Sequence, residues 1–156
     1  LLWNHNVTTQ TFTMYSTIMP PLDGTQDTQP SGVSKLCLSC HDGTVAIDNF
    51  DGNSAGTVLI DDYDAGYKIN ADLNRTHPIS ITYNTADAGL NPVTTTMGTS
   101  GTIEDVLDNN KVQCSTCHDV HDLESVSGTH LLRVKTKGAA GTGVGASSLC
   151  LVCHIK

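Results

Sequence analysis

The chain has 156 residues, of which 38% are hydrophobic and 4% aromatic, and its formal net charge is −8 at pH 7. That length argues for one domain with lean material for a core. The acidity, with only eight scattered Lys and Arg, disfavours nucleic acid or an anionic membrane surface as partner, and no apolar run approaches the roughly 18 residues of a membrane span.

Taken in order, residues 1–30 alternate in character, with Val7, Thr9, Thr11, Thr13 and Tyr15 on one parity and Phe12 and Met14 on the other. The alternation predicts an extended segment, ended by Pro20-Pro21 and the turn-forming Asp23-Gly24. His5 lies near its start, beside Trp3. The opening Leu1-Leu2-Trp3 has neither a charged nor an apolar leader, so any export signal is expected to have been removed or to lie outside this sequence. Pro30-Ser31-Gly32-Val33-Ser34 then leads into Lys35-Leu36-Cys37, where Ser34 is the expected cap of a short helix.

Residues 42–100 contain no cysteine. Pieces at 44–47, 57–60 and 79–83 are β-prone and are separated by Gly, Asn and Asp clusters, which predicts loops with brief strands. His77 precedes Pro78, whose ring biases it toward extended backbone and suits a side chain held out as a ligand. Thr102-Ile103-Glu104-Asp105-Val106-Leu107-Asp108 predicts a short helix, with Thr102 as N-cap, an acidic first turn and an end near Asn109-Asn110. After His121 come a polar loop, the stretch His130-Leu131-Leu132-Arg133-Val134 and a Gly-rich run at 138–145. Ser147-Ser148 is the expected cap of a last short helix. Asn6-Val7-Thr8 and Asn74-Arg75-Thr76 fit the glycosylation acceptor pattern, a frequent chance match.

The chemistry is concentrated in three copies of Cys-x-x-Cys-His: Cys37-Leu38-Ser39-Cys40-His41, Cys114-Ser115-Thr116-Cys117-His118 and Cys150-Leu151-Val152-Cys153-His154. Together they use all six cysteines. This is the attachment pattern of c-type haem, in which two thiols bond to the porphyrin edge and the adjoining histidine supplies the first axial nitrogen. Zinc would take two cysteine pairs at one site and strand the third, and it does not require His after the second Cys. A thioredoxin-like pair needs a βαβ context that is absent, and structural disulfides leave the three histidines unexplained. Haems would also supply the apolar bulk that the composition lacks. The fold expected is therefore mostly irregular and loop-rich, with a few short helices and minor β-strands wrapped around a stacked haem chain. It forms a single trihaem domain over 1–156, with haem sites at 37–41, 114–118 and 150–154.

Seven histidines are present, and the three motifs claim His41, His118 and His154 as proximal ligands. His5, His77, His121 and His130 remain for at most three distal positions, so every iron has a second imidazole available. His121, three residues beyond a proximal His, reads as a ligand, and so does His77. His130 reads as packed or surface, and His5 is balanced between ligand and surface. Met14, Met19 and Met97 read as packing or surface. The last two motifs are close in sequence and predict a stacked pair, with His121 serving the haem of Cys150 and Cys153 while His5 and His77 divide the other two. The acidic stretches at 48–53 and 61–64 carry oxygen ligands suited to Ca²⁺ but miss the EF-hand pattern. They read as solvated loops, with calcium as the alternative.

Trp3-Asn4-His5, Lys35-Leu36-Cys37-Leu38-Ser39-Cys40-His41-Asp42-Gly43-Thr44-Val45-Ala46, His77-Pro78-Ile79-Ser80, the run 114–121, Leu131-Leu132-Arg133 and 149–154 together resemble the exported bacterial trihaem cytochromes of the doubled Cys-x-x-Cys-His family. One departure is Val120, where that family carries Pro between the two histidines. The resemblance implies His5, His77 and His121 as distal ligands, an exported and extracellular location, and similarity to subunits of extracellular cytochrome filaments. It thus implies electron transfer rather than enzymatic catalysis, with identical subunits joined head to tail and with redox proteins or extracellular acceptors as further partners. The alternatives are a monomeric periplasmic or surface electron shuttle and a small haem redox enzyme or sensor module.

Overall fold

A computed structural model describes residues 4–15, 22–135 and 148–155. Pro20-Pro21 at the predicted end of the first segment, Met19, the glycine-rich run and Ser147 lie outside the described residues. The chain divides into two compact units, Leu1–Leu22 with Gln26–Ser80 and Asp23–Thr25 with Ile81–Lys156. No shift in composition marks the division.

The first unit is organised on α1, Gly32–His41. The helix starts earlier than predicted, because Ser31 takes the N-cap position while Ser34 lies inside the helix, fully buried. Ser31 makes no side-chain cap bond; its hydroxyl donates instead to Asp27 Oδ2 at 2.5 Å. Ser34 and Leu38 are one turn apart, so both fall on the buried face. The helix stops where Asp42 N–H donates to Leu38 O at 2.8 Å and Gly43 turns left-handed at φ +72°. A side chain at Gly43 would also collide with Asp61 Oδ1 at 2.7 Å. The predicted alternation of the N-terminal segment is present, since Thr8, Phe12 and Met14 are buried while Val7, Thr9, Thr11 and Thr13 are exposed. Phe12, Met14, Leu38 and Leu73 form the core. Thr13 N–H donates to Ala71 O, and Leu73 N–H donates back to Thr13 O, both at 2.9 Å.

Of the three β-prone pieces, only the last contains a strand. Residues 44–47 and 57–60 are linked by one backbone bond, Ile47 N–H to Val58 O at 2.8 Å. Ile60 already opens a 3₁₀ turn, Ile60–Asp62, which is followed by a second at Ala65–Tyr67. One bond does not make a ladder, and the aspartates recruit the backbone into turns instead.

The second unit contains the two-stranded antiparallel sheet of β1, Ile81–Thr82, and β2, Lys111–Val112. Its core is Tyr83, Met97, Ile103 and Val106, with Leu90, Val93, Leu107, Val112, Val134, Val152 and Cys153 packed around it. Helix α2, Ile103–Val106, is a single turn. Its predicted cap is present: Thr102 N–H and Oγ1–H both donate to Asp105 Oδ2 at 2.8 Å. The helix ends before Asn109-Asn110, which instead form a tight hairpin turn with φ of 52° and 61°. Asp108 and Lys111 exchange two backbone bonds across that turn, at 3.1 and 3.0 Å. Asparagine tolerates this left-handed pair better than most residues. The hairpin leads directly into α3, Cys114–Cys117. The last helix, α4, is Ser148–Cys153.

Met14 and Met97, each 1% exposed, pack in the two cores. Among the described residues no helix is long and apolar enough to cross a membrane.

Candidate functional site

The first motif occupies the last turn of α1. Helical spacing puts Cys37, half-buried, and Cys40, buried, one turn apart on one side. His41 follows, its Nδ1 2.8 Å from Tyr67 O. A carbonyl can only accept, so Nδ1 is the donor, and in the neutral ring this leaves Nε2 with the lone pair a metal needs. Ile69 N–H donates to His41 O at 2.7 Å and fastens the same two strands of chain.

Asp42, the next residue, is buried and fully engaged. It accepts from Thr8 Oγ1 at 2.5 Å and from both Thr44 N–H and Thr44 Oγ1 at 2.8 Å. Thr8 N–H donates to Ser39 Oγ at 2.9 Å. These bonds lay the N-terminal segment along α1 and bring His5 to the motif, with its Nε2 3.6 Å from Cys40 Sγ. The same nitrogen is 3.0 Å from Ala46 O, and His5 Nδ1 is 2.8 Å from Asn6 O. A neutral ring can donate to only one of these carbonyls, so ligation through Nε2 requires the ring to leave Ala46 O. His77 is exposed, with Nδ1 2.9 Å from Pro78 O, the same tautomer as His41.

In the second unit α3 is one turn, and Gln113 N–H donates to the Thr116 hydroxyl at 2.9 Å at its start. Thr116 Oγ1 then donates to Val106 O at 3.1 Å, fixing the turn to the core helix. His118 repeats the pattern of His41, its Nδ1 2.8 Å from His130 O. Cys117 O accepts from Arg133 N–H at 2.9 Å, and Asp119 N–H donates to Leu131 O at 2.8 Å, which pairs His118 antiparallel with Leu132. His154 is bridged to Leu90 in the same way: Asn91 N–H donates to Cys153 O and Ile155 N–H to Gly89 O, both at 2.8 Å. Asn91 Nδ2 donates to Leu151 O and Val152 O, each at 3.0 Å, satisfying carbonyls at the end of α4. Tyr83 Oη donates at 2.6 Å to Asn91 O. Burial, then Cys153 and Asp87, pushes the Tyr83 hydroxyl up to about 12.

Asp119 is the counterpart of Asp42. Its carboxylate accepts from the N–H of Glu124 at 2.7 Å, Leu123 at 2.8 Å and His121 at 3.2 Å. The Glu124 N–H first, then those of His121 and Leu123 and the Arg133 charge, hold the carboxyl below the usual carboxylate range. The turn that carries His121 is therefore closed by Asp119, with Val120 between the two. The His121 ring is exposed and makes no hydrogen bond among the described residues. Val120 and Leu123 beside it are 58% and 86% exposed.

The second cysteine of each motif, next to the histidine, has its thiol pushed up, in every case chiefly by burial. Asp42 adds to this for Cys40, Cys114 and Cys150 for Cys117, and Cys117 and Cys150 for Cys153, which reaches about 11. The mutual influence of Cys117, Cys150 and Cys153 makes the second and third motifs neighbours within their unit. None of the six cysteines is in a disulfide. Among the described residues no three His, Cys, Asp or Glu are gathered as a lone metal ion would require. A haem iron draws at most two ligands from the chain, so paired thiols beside an imidazole whose Nδ1 donates to a backbone carbonyl fit that group. In the acidic loops Asp48 Oδ1 accepts from Val58 N–H at 3.2 Å, Asn49 Oδ1 accepts from Gly56 N–H at 2.7 Å, and Asp61 pairs with Lys68 at 2.6 Å.

The structure thus brings His5 to the first motif and the backbone of His130 to the second. The residues that sequence reasoning gave no role are Asp42, Asp119, Arg133, Asn91 and Tyr83. An Asp directly after the motif histidine in two of the three motifs is the signal that could have found the first pair. No protein-family model matches the chain, and no curated protein matches it.

Proposed function

We propose that the chain is an electron-transfer protein bearing three covalently attached c-type haems, through Cys37 and Cys40, Cys114 and Cys117, and Cys150 and Cys153. The observation that carries this reading is shared by the first two motifs. A helical turn presents two thiols, and the next imidazole gives its Nδ1 proton to a backbone carbonyl, at 2.8 Å in both. Metal-bound histidines are oriented in this way, because the second hydrogen bond fixes tautomer and ring plane. When bound, haem supplies a one-electron iron couple.

The chain's residues then have distinct tasks. His41, His118 and His154 are the proximal ligands, and His5, His77 and His121 the distal ones. The approach of His5 to Cys40 supports assigning it to the first site, and the proximity of Cys117 to Cys150 supports assigning His121 to the third. Asp42 and Asp119 hold the segments that carry those two histidines. The exposed Val120 and Leu123 give His121 an apolar surround that a porphyrin would cover. Two imidazoles per iron leave no open coordination position, which favours electron transfer over catalysis or sensing. The family resemblance extends the proposal to an extracellular filament of identical subunits joined head to tail, against a monomeric shuttle. Calcium at the acidic loops stays a minor part of the proposal.

Haem quantification on exported protein, combined with intact mass, is the test. Three haems per chain are expected, and any other number overturns the reading. Electron paramagnetic resonance should contain only low-spin bis-imidazole iron; a high-spin five-coordinate component would favour the enzyme or sensor. Electron microscopy decides the assembly, since discrete small particles at every concentration would rule out the filament.

A further inference from the structure

Arg133 makes more bonds to the second motif and its surroundings than any single contact there requires. Its backbone N–H donates to Cys117 O at 2.9 Å. Its Nε donates to Ser115 O at 3.0 Å, inside the same helical turn. Its Nη1 donates to Ser100 Oγ at 2.9 Å and to Glu124 Oε2 at 3.1 Å. The side chain is only 14% exposed, so this is a shielded, oriented guanidinium rather than a loose surface pair. Glu124 is in turn the residue whose N–H donates to the Asp119 carboxylate, in the turn that carries His121.

We infer that Arg133 is a positioning residue that fixes His121 relative to His118, and hence, on the proposed reading, the relation between the second and third haems. The chain of contact is short. Two carbonyls of α3, at Ser115 and Cys117, are tied to Arg133; Arg133 is tied to Glu124; and Glu124 is tied through Asp119 to the His121 turn. Only a planar fork with several donors can reach a helix carbonyl, a hydroxyl and a carboxylate together. Lysine has the charge but not the fork. Close to the first motif the described bonds include no cationic residue in this role: Asp42 is held by Thr8 and Thr44.

The experiment compares the loaded wild-type protein with Arg133→Gln, Arg133→Lys and Glu124→Gln by haem count and low-temperature electron paramagnetic resonance. If the wild-type protein does not hold three haems, the proposed function fails, whatever Arg133 does. Given three haems, Arg133→Gln is expected to keep all three while moving two of the three low-spin signals and leaving one in place. Arg133→Lys should move the same two, and Glu124→Gln the same two by less. Three unmoved signals in Arg133→Gln and Glu124→Gln, or equal movement of all three, would overturn the inference. If Arg133→Gln does not accumulate with three haems, Glu124→Gln decides alone by the same criterion.

Discussion

The first and second motifs solve one problem by different means. Each is followed by a buried aspartate whose carboxylate is saturated with donors. Asp42 draws two of its three bonds from the hydroxyls of Thr8 and Thr44, and Thr8 lies 34 residues away in sequence. Asp119 draws all three from backbone N–H groups of the next five residues. The first motif is therefore stitched to a distant segment, and its neighbourhood is complete only when that segment has docked. The second is wrapped by its own following loop. A long-range stitch depends on particular side chains, whereas a local wrap depends mainly on the shape of the backbone.

The widest test of this contrast compares the two cores. Leu38→Ala and Ile103→Ala each truncate an almost inaccessible side chain, 1% and 0% exposed, and each is expected to cost about 2–5 kcal/mol. Amide exchange should show loss of protection confined to the first unit for Leu38→Ala and to the second unit for Ile103→Ala. Loss in both units from either variant would mean that the contrast between them has no thermodynamic counterpart.

Thr8→Val probes the stitch itself. It leaves the buried Asp42 carboxylate short of one donor, at an expected cost of about 1–3 kcal/mol. It should also loosen the segment that carries His5, which on the proposed function would be read as a change in the spectrum of one haem. No side-chain deletion can remove a donor from Asp119 in this way. A Thr8→Val protein with unchanged stability and spectra would break the comparison.

The thiols give a smaller effect, measured in rate. In chain produced without haem, Cys153, pushed to about 11 by burial and then by Cys117 and Cys150, stays protonated at pH 8 and should alkylate more slowly than the exposed Cys150. Its rate should climb as pH approaches 11. Equal rates at pH 8 would contradict the burial described.

The smallest effect belongs to Asp105. The Thr102 N–H, then its hydroxyl, lower the Asp105 carboxyl below its ordinary value. A depressed carboxylate contributes stability above its unfolded pKa of about 3.9, and that contribution is lost as pH falls through the lower folded value. Asp105→Asn should thus melt slightly below wild type at pH 7, with the gap closing in strong acid. A gap that persists at the lowest pH would assign the loss to shape rather than charge.

Much of this was legible in the sequence. The three motifs, the parity of residues 7–15, the Thr102 cap and the loop-rich character follow from local rules, because turns, caps and alternation are decided by neighbours. The start of α1 does not follow from local rules, since Ser34 is a good cap by type but is taken into the helix by burial against the core. The strands expected at 44–47 and 57–60 fail because strand formation needs a partner that local propensity does not specify. Asn109-Asn110 turned out to make a hairpin rather than end a helix. Both readings need a left-handed residue, and only the pairing of Asp108 with Lys111 decides between them. The supporting groups at the site were hardest to read, because Thr8 to Asp42, Arg133 to Ser115 and Asn91 to Leu151 are all contacts between distant stretches.

The carbonyls that receive the His41 and His118 rings belong to Tyr67 and His130. Every residue type carries that oxygen, so exchanging either side chain leaves the acceptor in place. The two positions are therefore free to drift over evolutionary time so long as the path of the backbone is kept. Insertions and deletions near 67 and 130, rather than substitutions, are the changes that selection would have to remove.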